Sequence, residues 1–196
     1  MAEQYGKNQR QKIILASGSP RRRELLGAMG YEFAILAPDV DENVEGRACD
    51  IVGTLAERKG RAAAEQCHDG EIVIAADTLV SLDGRPLGKP KSDDEAAAML
   101  RALSGRSHEV YTGLCVIDTA AGTMSVDVEC TRVTFRPLTD EEIDAYVAMG
   151  EPRDKAGAYA IQGGAAAFVS GYDGSYNNVI GLPTEKLAER LNTIMA

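Results

Sequence analysis

The stretch KIILASGSPRRR, residues 12–23, joins an apolar run to a turn of small residues and then to three arginines. Residues 12–16 predict a short buried strand, because four apolar residues follow one another without a break. Ser19 and Pro20 predict the start of a helix, since serine is a preferred N-cap and proline suits the first helical position. We expect this helix to end at Gly30. A strand, a turn and a helix in this order are typical of an α/β protein.

Helical and extended patterns continue to alternate along the chain, which favours an α/β class over an all-α or all-β one. A second apolar run, residues 72–76, is followed at once by Asp77, and we expect a central strand that ends at a functional edge. Capping motifs at Ser92 and Thr139 predict two helices, and a last helix is expected from Pro183. The other predicted strands are residues 31–36, 79–82, 85–87, 108–117 and 124–135.

Length and composition indicate one ordinary globular domain. The chain has 196 residues, of which 44% are hydrophobic and 26% are charged. We expect residues 1–11 to be a flexible polar leader and residues 12–196 to form a single domain. The net charge of −9 disfavours general binding to nucleic acid or to an anionic membrane. The longest apolar run is too short to span a bilayer and the start of the chain has no secretory signal, so we expect a cytoplasmic protein.

Several common types of site are disfavoured by the motifs that the chain lacks. It contains no Walker A loop and no G-x-G-x-x-G fingerprint, which excludes P-loop and Rossmann enzymes. No Cys–His or Ser–His–Asp arrangement can be inferred, and neither His68 nor His108 is assigned a role. No C-x-x-C motif is present, so we expect all four cysteines to be reduced and buried. These cysteines are Cys49, Cys67, Cys115 and Cys130.

The turn within residues 16–23 has the composition of an anion site. Small residues leave backbone N–H groups free, the helix presents its positive end, and arginines supply fixed charge at the same point. The alternative is an ordinary strand-to-helix turn with solvated arginines. This segment alone does not decide between the two.

Carboxylates and lysines elsewhere could complete such a site. Asp77 at the end of an apolar strand suits a magnesium ligand or a general base, although a capping or turn aspartate is the commoner role. Glu42 and Asp41 could add metal ligands, and the alternative is a solvated acidic loop. Lys59 lies in a predicted helix, whereas Lys89 stands between a glycine and a proline that restrict its backbone.

Two long segments without a regular period, residues 150–164 and 174–183, are rich in glycine and polar residues. Irregular segments of this length inside a compact domain are usually functional or disordered. Aromatic and aliphatic residues in and beside them argue against disorder. We therefore expect both segments to contribute to a site.

Together these motifs resemble the Maf family of nucleoside triphosphate pyrophosphatases. The matching segments occur in family order and cover nearly the whole chain from Ile13. They are residues 16–22, 76–80, 88–90, 103–105 with His108, 112–113, 151–163 and 174–183. The resemblance implies a mixed central sheet flanked by helices, with two lobes around a deep cleft, similar to inosine triphosphate pyrophosphatase. It also implies a homodimer.

The activity that the resemblance implies is hydrolysis of a nucleoside triphosphate between its α and β phosphates. The products would be the monophosphate and pyrophosphate, and the cofactor would be a divalent metal cation, Mg²⁺ or Mn²⁺. The motifs D-K-A-G-A-Y and I-Q-G, within residues 154–163, favour the branch that acts on dTTP and UTP, including modified pyrimidine nucleotides. Two alternatives stay open: the branch that acts on 7-methyl-GTP, and a non-enzymatic regulator of septum formation and cell division.

The resemblance also assigns roles to individual residues. Asp77 matches the general base, with Lys89 and Lys59 as further catalytic residues, and Glu42 with Asp77 would hold the metal. The substrate-binding residues that it implies are Ser17, Arg21, Arg22, Thr78, Gln162 and Lys155. Among these, Arg21, Thr78 and Gln162 match positions tied to base selection.

Overall fold

The helices and strands follow the expected α/β order. The computed structural model describes residues 12–195, so the predicted leader at residues 1–11 lies outside the described residues. The strands are β1 (Lys12–Leu15), β2 (Phe33–Ile35), β3 (Glu71–Leu82), β4 (Arg85–Leu87), β5 (Ser107–Asp118), β6 (Thr123–Phe135) and β7 (Val169–Asp173). The α-helices are α1 (Pro20–Ala28), α2 (Ala48–Ala64), α3 (Asp93–Leu103), α4 (Asp140–Ala148), α5 (Tyr176–Ile180) and α6 (Thr184–Ile194). Short 3₁₀ turns cover Glu151–Asp154, Ala156–Ala158 and Gly164–Phe168.

The strands form one mixed sheet in the order β2-β1-β3-β5-β6-β7, and β4 lies beside the far end of β3. Strand β1 pairs in parallel with both β2 and β3. The other pairings are antiparallel. The predicted mixed central sheet flanked by helices is therefore confirmed.

Local capping explains where several helices begin. Thr139 and Glu142 form the complete reciprocal capping box at the start of α4. At α3, the Ser92 side chain accepts the Glu95 backbone N–H, but the glutamate bonds the backbone of Lys91 instead of Ser92. Ser19 occupies the N-cap position of α1 without a capping bond from its side chain.

The helices bury their apolar faces on both sides of the sheet. Leu26 of α1 and Leu187 of α6 pack on one face of β1 and β3, while Ala56 of α2 packs on the other. A separate cluster joins the far half of the sheet to α3 and α4 through residues such as Leu100 and Ile143. This division of the core produces two lobes on one continuous sheet.

Strand β3 does not end before Asp77, so that prediction is wrong. It continues to Leu82, because backbone pairing with β5 runs from Ile72 to Ser81 regardless of side-chain polarity. On its other edge, β1 pairs with the first part of β3 and β4 with the last part. Residues 75–79 lie between these two partners. This gap between β1 and β4, called the fork below, leaves the edge of β3 at Asp77 without a neighbouring strand on that side among the described residues.

Glycines allow α2 to lie unusually close to the sheet. A Cβ atom at Gly113 of β5 would stand 2.1 Å from the carbonyl oxygen of Val52, and one at Gly60 would stand 2.7 Å from Cys115 Sγ. Real Cβ atoms do not approach other atoms so closely. The two glycines therefore bring α2, which carries Lys59, against the strand opposite Asp77.

The cysteines are all free, but only Cys115 is buried. The predicted burial is wrong for Cys130, which is exposed because it lies on an outward-facing position of β6. Cys49 and Cys67 are half-buried.

Within residues 12–195, the helices are all too short or too polar to cross a membrane.

Candidate active site

A cleft of about 950 Å³ opens at the fork between β1 and β4. Its floor is the middle of β3, and its walls come from the turn after β1, the helix α2, the end of β4 and the irregular segment around residues 154–161. Both lobes contribute to it. The cleft that the resemblance implies is present at this position.

Asp41, a further candidate metal ligand, is exposed and does not line this cleft. Nine of the ten residues that the resemblance assigns to the site do line it. They are Ser17, Arg21, Arg22, Glu42, Lys59, Asp77, Thr78, Lys89 and Lys155. Gln162 is not among the lining residues, and its side chain is exposed. Its neighbour Ile161 does line the cleft.

Lys59 lies between the two carboxylates that were expected to share a metal ion. Its Nζ atom is 2.7 Å from Asp77 Oδ1 and 2.6 Å from Glu42 Oε1. The side chains of Lys59 and Asp77 are each 14% exposed. The hydrogen bond from Lys59 holds the pKa of Glu42 below its usual value, so this carboxylate stays ionised. The two carboxylates thus converge on one cation.

Arg22 is held by three hydrogen bonds. Its Nε donates to the Gly181 carbonyl at 2.8 Å, Nη2 donates to Thr78 Oγ1 at 3.0 Å, and Nη1 donates to Ser17 Oγ at 3.3 Å. Burial lowers the pKa of Arg22, and the charge of Asp77 opposes that shift. A guanidinium stays protonated in proteins and has five N–H groups, so two remain for a ligand.

Ser17 is arranged to donate a hydrogen bond into the cleft. Its Oγ accepts the Ser19 backbone N–H at 3.2 Å and the Arg22 guanidinium at 3.3 Å. A hydroxyl group has two acceptor positions and one proton. Because both acceptor positions are used, the proton of Ser17 is left for a ligand.

Two further lysines lie on the opposite wall. Lys89 follows β4, where the Gly88 carbonyl accepts the Gly157 backbone N–H at 3.0 Å and so joins this strand to the irregular segment. Lys155 donates to the neighbouring Asp154. In all, five cationic and three acidic side chains line the cleft, so its sign is opposite to that of the whole chain.

The other part of the cleft is apolar and was not assigned residue by residue from the sequence. Its lining includes Val110, Tyr159, Ile161 and Ile180. The only signal for it was the irregular composition of residues 150–164 and 174–183. An apolar wall beside a cationic one suits a ligand with a flat ring at one end and anionic groups at the other.

His108 supports this apolar wall from behind. It is fully buried, and its Nε2 forms a 2.8 Å hydrogen bond with the Tyr159 hydroxyl. Burial lowers the pKa of His108 to about 4, so the ring is neutral at pH 7. His108 is not among the residues that line the cleft.

Comparison with known proteins identifies the family. The model of the family described as Maf-like protein matches residues 12–194, which include every residue of the cleft. The chain belongs to the Maf family. Among its Maf relatives is a dTTP/UTP pyrophosphatase from Pelotomaculum thermopropionicum, 52% identical over 182 residues, 92% of this chain and 95% of that protein. A dTTP/UTP pyrophosphatase from Geobacter metallireducens is 49% identical over 187 residues, 94% of this chain and 97% of that protein.

A solved structure shares the fold of this Maf chain. It is a HAM1 protein from Coxiella burnetii, with a TM-score of 0.51 and 18% sequence identity. The match covers 94% of this chain and 100% of the HAM1 chain.

Proposed function

We propose that this Maf chain hydrolyses dTTP and UTP between the α and β phosphates, releasing the monophosphate and pyrophosphate. The observation that carries the proposal is the cleft itself, where five cationic side chains and a pair of carboxylates face an apolar wall. Relatives of about half-identical sequence are named dTTP/UTP pyrophosphatase over most of this chain. Modified pyrimidine nucleotides fit the same proposal.

The triphosphate binds at the turn after β1. A triphosphate carries about four negative charges, and helix N-termini with flanking cations are suited to such groups. The hydroxyl proton of Ser17 and the two remaining N–H groups of Arg22 are available there. Lys89 and Lys155 approach the phosphates from the opposite wall.

A divalent cation, Mg²⁺ or Mn²⁺, belongs to this proposal. Within residues 12–195, no group of three or more His, Cys, Asp or Glu side chains could hold a metal. Mg²⁺, however, is commonly bound by one or two carboxylates together with waters and substrate phosphates. Glu42 and Asp77 fit that pattern because their oxygens already converge on the Lys59 ammonium group. When bound, the cation would neutralise charge on the phosphates.

Asp77 accepts the proton of the attacking water. Lys59 holds its Oδ1 at 2.7 Å and so sets the orientation of the carboxylate. Among the described residues, Oδ2 has no hydrogen-bond donor, which leaves it for the water. Arg22 and Lys89 stabilise the charge that develops on the phosphates as the α–β bond breaks.

The pyrimidine ring lies against the apolar wall at Tyr159 and Ile161. The role of Gln162 in reading the base stays a prediction, since its side chain is exposed and does not line the cleft. A homodimer and a cytoplasmic location also stay predictions.

The direct test is product analysis with Mg²⁺ or Mn²⁺ and a panel of dTTP, UTP, CTP and 7-methyl-GTP. We expect pyrophosphate and monophosphate from dTTP and UTP, whereas orthophosphate and diphosphate would contradict the proposed bond cleavage. Preference for 7-methyl-GTP would favour the other branch of the family. Absence of any hydrolysis would favour the non-enzymatic regulator.

Substitution of the proposed base tests the assignment of Asp77. Asp77→Asn should fold but lose roughly 100-fold or more in kcat. The matched control is Asp127→Asn, which removes another strand carboxylate that is paired with a cation, here Arg190 at 2.6 Å. Near-normal turnover of Asp77→Asn, or an equal loss in the control, would show that Asp77 is structural.

A further inference from the structure

A chain of hydrogen bonds runs from the half-buried Arg22 into the buried centre of the sheet. Arg22 Nη2 is 3.0 Å from Thr78 Oγ1, which is 3.0 Å from Thr112 Oγ1. Thr112 Oγ1 is in turn 2.9 Å from the backbone carbonyl oxygen of Asn178. Neither Thr112 nor Asn178 has any exposed surface.

The direction of this chain is fixed by counting protons. A carbonyl can only accept, so Thr112 donates its single proton to Asn178 and must accept from Thr78. Thr78 then has no proton left and accepts from the guanidinium of Arg22. All the bonds thus point the same way, an order in which each bond polarises and strengthens the next.

The far end of the chain is anchored firmly. The side-chain amide of Asn178 donates to the Val110 carbonyl at 3.0 Å and to Thr131 Oγ1 at 2.9 Å. Arg22 Nε also donates directly to Gly181, three residues beyond Asn178. The guanidinium is therefore tied twice to the segment around α5, once directly and once through the two threonines.

We infer that Thr112 is a positioning residue for the phosphate-binding site, acting through Thr78 on Arg22; this inference rests on the proposed function. Two bonds to one segment fix both the position and the plane of the guanidinium. Its remaining N–H groups are then held in one orientation toward the phosphates. The same order of bonds means that Thr78 has no proton to donate to a base carbonyl, so it supports Arg22 instead.

The test removes the hydroxyl with the least change of shape. Thr112→Val should lower kcat/KM on dTTP roughly 10-fold, because Arg22 loses its second tie. Thr112→Ser keeps the hydroxyl and should recover activity to within about threefold of the wild type. If the valine variant does not fold, Thr112→Cys, whose thiol is a weak donor, takes its place with the same expected loss.

Thr119→Val is the control. Thr119 follows β5, does not line the cleft and is not part of the hydrogen-bonded chain. Its hydroxyl also bonds the backbone, since Oγ1 accepts the Glu71 N–H at 2.9 Å and donates to the Glu71 carbonyl at 2.8 Å. We expect a loss in Tm in both valine variants, but kcat/KM of Thr119→Val should stay within about twofold of the wild type.

A double-mutant cycle gives an independent measure. In an Arg22→Ala background, Thr112→Val should reduce kcat/KM by less than about twofold, since the group that it positions is gone. Wild-type protein is assayed first, so inactivity on dTTP would count against the proposed function and not this inference. With active wild type, the inference is overturned by a fully active Thr112→Val, by equal loss in Thr119→Val, by no rescue in Thr112→Ser, or by additive effects with Arg22→Ala.

Discussion

Replacement of Lys59 by methionine should destabilise the protein, because it removes the cation that lies between two carboxylates in the cleft. Lys59 bridges two carboxylates, and its side chain and that of Asp77 are each 14% exposed, whereas Glu42 is 58% exposed. Loss of one partner costs about 3–5 kcal/mol for a buried ion pair and about 0–1 kcal/mol for an exposed one. This site lies between those limits, so we expect a loss of about 2 kcal/mol in the free energy of unfolding. For a domain of this size, that loss lowers Tm by roughly 4–8 °C.

Added metal should partly reverse this loss. With Lys59 removed, the two carboxylates face each other without a cation, and Mn²⁺ or Mg²⁺ can take that position. Thermal unfolding with and without Mn²⁺ should therefore show a larger metal-induced rise in Tm for Lys59→Met than for the wild type. Turnover of the variant on dTTP should still fall, because Asp77 loses the partner that orients it.

Lys12→Met is the control for Lys59→Met. Lys12 also pairs with a buried carboxylate, 2.8 Å from Glu71 whose side chain is 9% exposed, but the pair lies at the opposite end of β3 from the cleft. We expect some loss of Tm and no added response to Mn²⁺. An unchanged Tm in Lys59→Met, or an equal metal response in both variants, would refute the reasoning.

Three further substitutions test other parts of the site. Gly113→Ala should lower both Tm and kcat, because its Cβ would stand 2.1 Å from the Val52 carbonyl oxygen and must displace α2. Gly171→Ala is the control and should change neither, because nothing lies within 4 Å of its added Cβ. Equal effects of the two substitutions would contradict this explanation. His108→Gln should reduce the loss of stability at acid pH. The measurement is the free energy of unfolding, determined with urea at several pH values. The folded protein binds the His108 proton only below about pH 4 and the unfolded chain below about 6.5, so the wild type loses on the order of 3 kcal/mol as pH falls between them. If the free energy of unfolding of the variant depends on pH as it does in the wild type, His108 is not the cause. Gln162→Glu should lower kcat/KM on dTTP and UTP by roughly 5- to 150-fold relative to CTP; an unchanged ranking of substrates would remove Gln162 from base recognition.

Much of the site could be predicted because its cationic half is built from short motifs. The strand at residues 12–15, the turn and the helix at Pro20 all depend on neighbours within a few positions. The lysine between Gly88 and Pro90 and the carboxylate after residues 72–76 were likewise visible as local patterns. Such patterns report the steric and hydrogen-bonding preferences of nearby backbone, which act without the rest of the fold.

The apolar wall and the place of Gln162 could not be predicted in this way. Tyr159 and Ile161 carry no local signal that distinguishes a cleft residue from a core residue. Their positions follow from contacts such as the bond between Tyr159 and His108, which lie 51 positions apart. Within the same irregular segment, Gln162 is exposed although the resemblance assigns it to the base.

By itself, then, the sequence determined the α/β class, the family motifs and the set of charged residues, because each depends on short segments. Only the tertiary structure decided how those residues meet. Strand β3 passes beyond Asp77 because β5 supplies its backbone partners, and Lys59 reaches Asp77 because Gly60 and Gly113 let α2 approach the sheet. The hydrogen bonds that tie Arg22 to the segment around α5 join residues up to 159 positions apart. Pairing at such separations depends on the packing of the whole sheet, which no local pattern records.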